Sequence, residues 1–159
     1  MNTSPRACLF RLGTQLFALP GEYTRQVHTV SNLRPVPKAP AILRGLFPVR
    51  SNVLPLVTLE PLLGIETTPL LGEQAAPLES ELAVQMEFEG RELAFGVTKV
   101  IGFNPLERSL LKPVPLEMGQ MRELSIGVYM YEGEPVLVLD AEKLMMALSR
   151  AFGVVRVLA

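Results

Sequence analysis

Proline and glycine divide this chain into short apolar segments. Its 159 residues include 14 prolines and 12 glycines, and the apolar runs between them are mostly four to eight residues long. Runs of that length bounded by turn-forming residues are typical of β-strands, whereas helices need longer periodic stretches. The sequence therefore predicts an all-β fold with short helices.

Three segments have the pattern of β-hairpins. Each joins two apolar runs through a short turn with a glycine, which can supply the positive φ of a tight turn. They are Ala7–Leu12 with Gln15–Leu19, Leu82–Phe88 with Arg91–Val97, and Ile126–Tyr131 with Pro135–Leu139. The pattern Gly-x-x-Leu occurs in the first two, at Gly13 and Gly90, and favours two similar small β-barrels.

One further strand and two helices complete the expected elements. Val53–Leu59 is almost entirely apolar, which predicts a strand covered on both faces, and Pro55 predicts an edge position or a bulge. Thr58 is expected to cap a short helix over Leu59–Leu63 that Gly64 ends. Asp140 is expected to cap a C-terminal helix from Ala141 to about Phe152, with Gly153 as its stop. Four apolar residues of this helix should face the core: Leu144, Met145, Leu148 and Phe152.

Residues 66–81 have the composition of a linker. They contain two prolines, one glycine and four glutamates and show no hydrophobic period. We therefore expect a single domain over residues 1–159 with two barrels. The first would cover residues 20–80, and the second would combine residues 7–19 with residues 82–145.

Composition restricts the classes of function. The chain is 48% hydrophobic and 19% charged, with a net charge of -1, which favours a folded protein and gives no overall field for a phosphate backbone. The single cysteine, Cys8, cannot form an intrachain disulfide, which fits a cytoplasmic protein. The longest run without charge is the ten residues Leu12–Gly21, well short of the ~20 that a membrane helix needs. Arg11 interrupts the first apolar stretch, so no secretory signal and no membrane insertion are expected.

Side chains capable of catalysis are few. Phosphate-loop, dinucleotide, zinc-protease, nucleophile-elbow and paired-cysteine motifs are all absent from the sequence. His28 lies in an alternating segment and is expected on the solvent face of a strand, and Cys8 is expected to be buried and inert. No catalytic residue, metal site or cofactor is predicted.

Two residue types favour an interaction surface. Eleven of the 15 basic residues are arginines, whose planar guanidinium suits protein interfaces better than the lysine ammonium. Five of the seven methionines lie in the last third of the chain, where they could fill the core or form an adaptable binding surface.

An ordered set of segments resembles the CheW family, the adaptor proteins of bacterial chemotaxis arrays. The first β-segment of the family sequence resembles two short stretches of this chain, Phe17-Ala18-Leu19-Pro20 and Arg25-Gln26-Val27. The similarity continues through Ile42–Leu46, Val49–Leu59, Leu93–Gly102 and Val136–Asp140, and it covers about nine-tenths of the chain.

The resemblance implies a fold and a function. The fold would be two packed, five-stranded, SH3-like β-barrels with a C-terminal helix. The function would be that of a non-enzymatic adaptor that couples the regulatory domain of a CheA-type histidine kinase to a sensor, either the cytoplasmic tip of a chemoreceptor or a sensor of a related pathway such as pilus-driven motility. The partner-binding positions carried over by the resemblance are Thr24, Gln26, Val27, Gly45, Arg50, Val97 and Thr98.

Several positions depart from the family pattern. Gln26, Thr58 and Thr98 stand where acidic residues are usual in the family, while Arg50 matches the motif arginine. Pro48 and Ser51 replace the asparagine and the glycine of the same motif. We expect the scaffold to be retained and the choice of partner to differ, because the charge complementarity at this surface has changed.

Two other functions remain open from the sequence. A small β-barrel can bind single-stranded nucleic acid through stacked aromatic rings and a basic groove, although aromatic residues make up 6% of this chain and tryptophan is absent. An enzyme that uses glutamates in an unrecognised cleft is the third alternative.

Overall fold

The structure, a computed structural model, describes residues 6–65 and 81–152. Strands dominate this part of the chain. In chain order they are β1 (Arg6–Leu12), β2 (Gln15–Pro20), β3 (Thr24–Thr29), β4 (Leu43–Val49), β5 (Asn52–Val57), β6 (Leu82–Phe88), β7 (Arg91–Val97), β8 (Lys99–Pro105), β9 (Ser125–Tyr131) and β10 (Glu134–Leu139). The helices are α1 (Glu60–Leu63), α2 (Gln120–Glu123) and α3 (Ala141–Phe152).

The strands form two five-stranded sheets. Sheet A has the order β8-β1-β2-β10-β9, and sheet B has the order β3-β6-β7-β5-β4. All neighbouring strands are antiparallel except β2 with β10 and β5 with β7, which are parallel. This confirms the predicted all-β class with short helices and a C-terminal helix.

The three predicted hairpins are present, and a fourth was missed. The fourth joins β4 to β5 through Arg50 and Ser51, a turn without glycine in which Arg50 itself has a positive φ of 57°. A turn without glycine gives no signal of the kind that identified the other three hairpins.

The strands divide between the sheets differently from the sequence prediction. Residues 82–97 were assigned to the same barrel as residues 7–19, and this assignment is wrong. Strand β6 pairs with β3, and β7 pairs in parallel with β5 through Leu56 and Ala94, so residues 82–97 belong to sheet B. Parallel pairing between distant segments leaves no local pattern in a sequence.

Each sheet brings its outer strands towards each other. Arg34, which follows β3, forms an isolated bridge with Leu46 of β4, and Lys112, which follows β8, forms the equivalent bridge with Val128 of β9. Closure of each sheet into an SH3-like barrel remains a prediction. The predicted linker lies outside the described residues except for Glu81.

Strand β5 differs from its prediction in two respects. It lies between β7 and β4 rather than at an edge, and Val53 is 59% exposed although the following apolar residues are buried. Strand β7 pairs only with Leu56 and Val57, so the missing amide of Pro55 leaves that ladder intact. The register of the β4–β5 pair is irregular in β4, between Leu43 and Gly45, and not at Pro55 of β5.

The two predicted helix caps have opposite outcomes. Lys143 donates its backbone N–H to Asp140 Oδ1 at 3.1 Å, so Asp140 caps α3 as predicted. Gly64, with a φ of 73°, ends α1 as predicted. The predicted cap at Thr58 is wrong, because its hydroxyl donates to the Glu60 carboxylate at 2.8 Å and not to the helix backbone. The expected stop at Gly153 lies outside the described residues.

A shared core holds the two sheets together. Phe10 of sheet A lies 5.2 Å from Phe95 of sheet B, measured between ring centroids, and α3 packs Leu144 and Leu148 into the same cluster. Strand β1 is buried on both faces: Cys8 and Phe10 enter the shared core, whereas the alternate residues enter a smaller core of sheet A. Burial of each such phenylalanine contributes about 1.5–3 kcal/mol, so the sheets form one structural unit.

Candidate functional site

Three of the predicted partner-binding residues line one cleft of sheet B. Residues 26–29 of β3 and residues 47–50 of β4 and its turn enclose an open space of about 280 Å³, here called the arginine cleft. It brings Gln26 and Val27 next to Arg50, which lies more than twenty residues further along the chain. The approach of the two outer strands of sheet B creates this cleft.

Arg50 is the exposed cation of the arginine cleft. Within residues 6–65 and 81–152 no carboxylate lies at ion-pair distance from its guanidinium. Its backbone is held in the left-handed region, which costs about 1–3 kcal/mol for a residue other than glycine. Gln26 adds a neutral amide, so the positive charge is not compensated by the cleft lining.

His28 lies in the same cleft and is half-buried rather than on a fully wet face. Its Nε2 lies 2.6 Å from Gln85 Oε1, and Gln85 Nε2 donates to Glu92 at 3.1 Å. Because the Gln85 oxygen must accept, His28 Nε2 carries the hydrogen. The ring also packs edge-on against Phe47, with centroids 6.2 Å apart. His28 therefore has a structural role in joining β3, β6 and β4.

Two more predicted residues, Val97 and Thr98, line a separate and larger cleft. This ion-pair cleft has a volume of about 460 Å³ and is lined by Arg44, Thr58, Glu60, Glu81, Leu82, Gly96, Val97 and Thr98. Arg44 forms a salt bridge with Glu81 across Gly96. A Cβ atom at Gly96 would overlap the Glu81 carboxylate, so glycine at this position makes room for the salt bridge.

Thr98 connects the ion-pair cleft to sheet A. Its Oγ1 accepts the backbone N–H of Gly13 at 2.8 Å, and its own N–H donates to the Arg11 carbonyl at 2.8 Å. Val97 is 93% buried, so it offers little surface of its own. Thr98 is the more accessible of the two predicted residues.

The remaining predicted residues have structural roles. Thr24 is buried and its hydroxyl donates to the Pro20 carbonyl at 3.2 Å. Gly45 allows close approach of the chain, because a Cβ there would lie 2.6 Å from the Arg34 carbonyl oxygen. Neither presents a side chain to a partner, and the seven predicted residues therefore do not form one contiguous site.

A third, apolar pocket on sheet A was not found from the sequence. It has a volume of about 410 Å³ and is lined by Pro105, Glu107, Leu110, Lys112, Val128, Tyr129 and Met130. The hydroxyl of Tyr129 is buried without a hydrogen-bond partner among the described residues, and burial raises the pKa of Tyr129. The abundance of methionine was the available signal: Met130 is 63% exposed here, whereas Met145 lies in the core.

The described residues contain no metal-ligand cluster. Within residues 6–65 and 81–152, no three His, Cys, Asp or Glu side chains come together as a metal site requires. Cys8 is buried as predicted, and burial raises the pKa of its thiol to about 11, which disfavours the reactive thiolate. No helix in the described part of the chain is long and apolar enough to cross a membrane.

Comparison with known proteins shows similarity in sequence and in fold. The sequence profile of the CheW-like domain matches residues 6–149. Over 51 residues the chain is 34% identical to the chemotaxis protein CheW of Treponema pallidum (strain Nichols); the aligned segment covers 32% of this chain and 30% of that protein. The fold is similar to that of the scaffolding protein TtCheW from Thermoanaerobacter tengcongensis, with a TM-score of 0.71 and 16% identity over 87% of this chain and 90% of that one.

Proposed function

Because the chain belongs to the CheW-like domain family, we propose that it is a non-enzymatic adaptor that couples a CheA-type histidine kinase to a sensor in the cytoplasm. The family match and the scaffold fold support a chemotaxis adaptor. The regulatory domain of the kinase is the first proposed partner. The second is the cytoplasmic tip of a chemoreceptor or the sensor of a related motility pathway. The role requires no cofactor and no nucleic acid.

The charge of Arg50, which no carboxylate of the described residues compensates, is the observation that carries this proposal. The guanidinium is exposed in a cleft whose lining residues include no carboxylate. The short β4–β5 turn holds the backbone of Arg50 at a positive φ. A charge-assisted hydrogen bond to a partner carboxylate is worth about 1.5–3 kcal/mol. We therefore assign the kinase contact to the arginine cleft.

The ion-pair cleft is the proposed sensor contact. It is the largest of the three spaces and lies where Thr98 links sheet B to sheet A. The Arg44–Glu81 salt bridge lines this cleft, and Glu60 adds a second carboxylate, so a partner would meet a polar surface with a small excess of negative charge. The chemistry of this cleft suits a partner with mixed polar and apolar groups.

Titration calorimetry with the regulatory domain of the CheA-type kinase from the same source tests the kinase contact. We expect micromolar affinity, about -8 kcal/mol. The informative variant is Arg50→Gly, which removes the guanidinium and also relieves the left-handed backbone strain. It should weaken binding about tenfold or more while the protein becomes more stable.

Arg91 offers a matched control. It is exposed on the same sheet and has no ion pair among the described residues, so Arg91→Gly should leave binding unchanged. Equal losses for both variants would mean a general charge effect rather than a site. Unchanged binding by Arg50→Gly would remove the arginine cleft from the proposal, and no binding of the wild-type protein would remove the kinase as partner.

The described residues of the arginine cleft do not favour the nucleic-acid alternative. Phe47 is 1% exposed and the His28 ring packs against it, so the cleft offers no open aromatic face on which a base could stack. Retention of the protein on single-stranded nucleic acid at moderate salt would support that alternative instead.

A further inference from the structure

The apolar pocket of sheet A combines a cavity with exposed apolar side chains. The cavity has a volume of about 410 Å³, and the two side chains at its rim, Leu110 and Met130, are each 63% exposed. Leu110 is the last residue of the short 3-10 turn Arg108–Leu110. A surface that offers both a cavity and a protruding side chain can receive its own protrusion from a second copy.

The charges at the rim of this pocket are complementary to one another. Glu107 and Lys112 both line it and both are exposed. Neither forms an ion pair within residues 6–65 and 81–152. A two-fold axis through the pocket would place Glu107 of each copy opposite Lys112 of the other. A partner of one charge sign would gain from one of these groups and be repelled by the other.

We propose that a second copy of this chain docks at the apolar pocket in a two-fold homodimer. Leu110 of each copy enters the pocket of the other, and the Glu107–Lys112 pairs form on both sides of the axis. The proposal concerns sheet A and does not depend on the kinase contact assigned to the arginine cleft of sheet B.

Charge exchange at the rim provides a direct test by analytical ultracentrifugation, from about 1 µM to about 1 mM protein. The wild-type chain should show a concentration-dependent monomer–dimer equilibrium. Lys112→Glu alone and Glu107→Lys alone should each raise the dimer dissociation constant at least about tenfold, because like charges then face each other twice. An equimolar mixture of these two variants should dimerise again, because every pair in the mixed dimer is attractive. Glu117→Lys, an exposed substitution outside the pocket, is the control and should leave dimerisation unchanged.

A substitution at Leu110 separates an interface role from a structural one. Leu110→Ala removes the side chain that enters the pocket of the other copy, so it should weaken the dimer severalfold. The diluted monomer should melt at nearly the same temperature, because Leu110 is 63% exposed in the single chain. A wild-type chain that remains monomeric up to about 1 mM, or a mixture of the charge variants that fails to dimerise, overturns the proposal. A monomeric chain whose Met130→Glu variant loses affinity for the kinase regulatory domain would assign the pocket to that partner instead.

Discussion

Sheets A and B have equivalent backbones and different surfaces. Each contains a hairpin from one half of the chain, β1–β2 or β6–β7, and three strands from the other half. In both, the second strand of the hairpin pairs in parallel with a strand from the other half of the chain, through Ala18 and Val138 in sheet A and through Ala94 and Leu56 in sheet B. The two halves of the chain therefore exchange hairpins to complete each other's sheet.

The equivalence extends to single hydrogen bonds. A glycine follows a bulge at the same place in each sheet, Gly45 in β4 and Gly127 in β9. The residue that follows β5 and the residue that follows β10 donate to matching carbonyls: Thr58 N–H to Ile42 at 2.9 Å, and Asp140 N–H to Leu124 at 2.8 Å. Main-chain pairing sets this common framework.

The surfaces at equivalent backbone positions have opposite character. Phe47 and Pro48 of the arginine cleft correspond to Tyr129 and Met130 of the apolar pocket. The first rim ends in the exposed cation Arg50, and the second carries exposed apolar side chains. One framework thus supplies two surfaces of different chemistry, because outward-facing side chains can change without loss of strand pairing.

The largest loss of stability is expected at the two glycines that follow the bulges, Gly45 and Gly127. Gly45→Ala places a Cβ 2.6 Å from a backbone oxygen at a φ of 154°, so backbone strain of about 1–3 kcal/mol adds to overpacking of about 1–3 kcal/mol. Gly127→Ala meets the Leu111 Cβ at 2.8 Å without a positive φ and should lose only the overpacking part. Urea unfolding measures both losses.

Gly133→Ala is the control for this comparison. Gly133 has a φ of 84° and open space around its Cβ position, so it isolates strain from overpacking. Equal losses at Gly45 and Gly127 would show that strain contributes nothing to the difference between the sheets.

A smaller effect is expected at the helix caps. Asp140→Ala should cost about 1 kcal/mol, because α3 loses the acceptor for an N-terminal N–H. Thr58→Ala should cost less, because Thr58 bonds to Glu60 instead of the helix backbone. Thermal unfolding of both variants checks this order.

Thr58→Asp tests whether an aspartate before α1 would cap that helix as Asp140 caps α3. A carboxylate beside that of Glu60 would be repelled, so we expect no gain in stability even though aspartate is a good cap. A clear rise in melting temperature would mean that Thr58 is already placed to cap α1.

The smallest effect concerns an exposed ion pair of sheet A. A hydrogen bond from Arg11 to Glu134 at 2.7 Å lowers the pKa of that carboxyl below its ordinary value of 4.5. Because the pKa is lowered by folding, the stabilisation is present above pH 4.5 and is lost as the pH falls through the folded-state value. Carboxyl titration followed by NMR should show Glu134 returning towards 4.5 in Arg11→Ala. No change would show that the pair is not formed in solution.

Local patterns were sufficient for some parts of this molecule. Turn glycines identified three hairpins, and Asp140 with the periodicity of α3 identified the C-terminal helix, because both depend on interactions between residues near in sequence. The repeated Gly-x-x-Leu pattern indicated two similar units, but its alignment is wrong by one residue. The hairpin registers match Gly13 with Glu89, so Gly90 matches Thr14.

For the candidate site, the sequence determined residue types, and the tertiary structure decided which of them meet. Through its family resemblance it identified Arg50 and Gln26, and the approach of β3 to β4 makes them neighbours. It gave no sign that Thr24 and Gly45 would be structural, since both depend on carbonyl groups elsewhere in the fold. The exchange of hairpins between halves and the apolar pocket also arise only from long-range pairing. Parallel strand pairs join residues whose separation leaves no periodic trace in the chain.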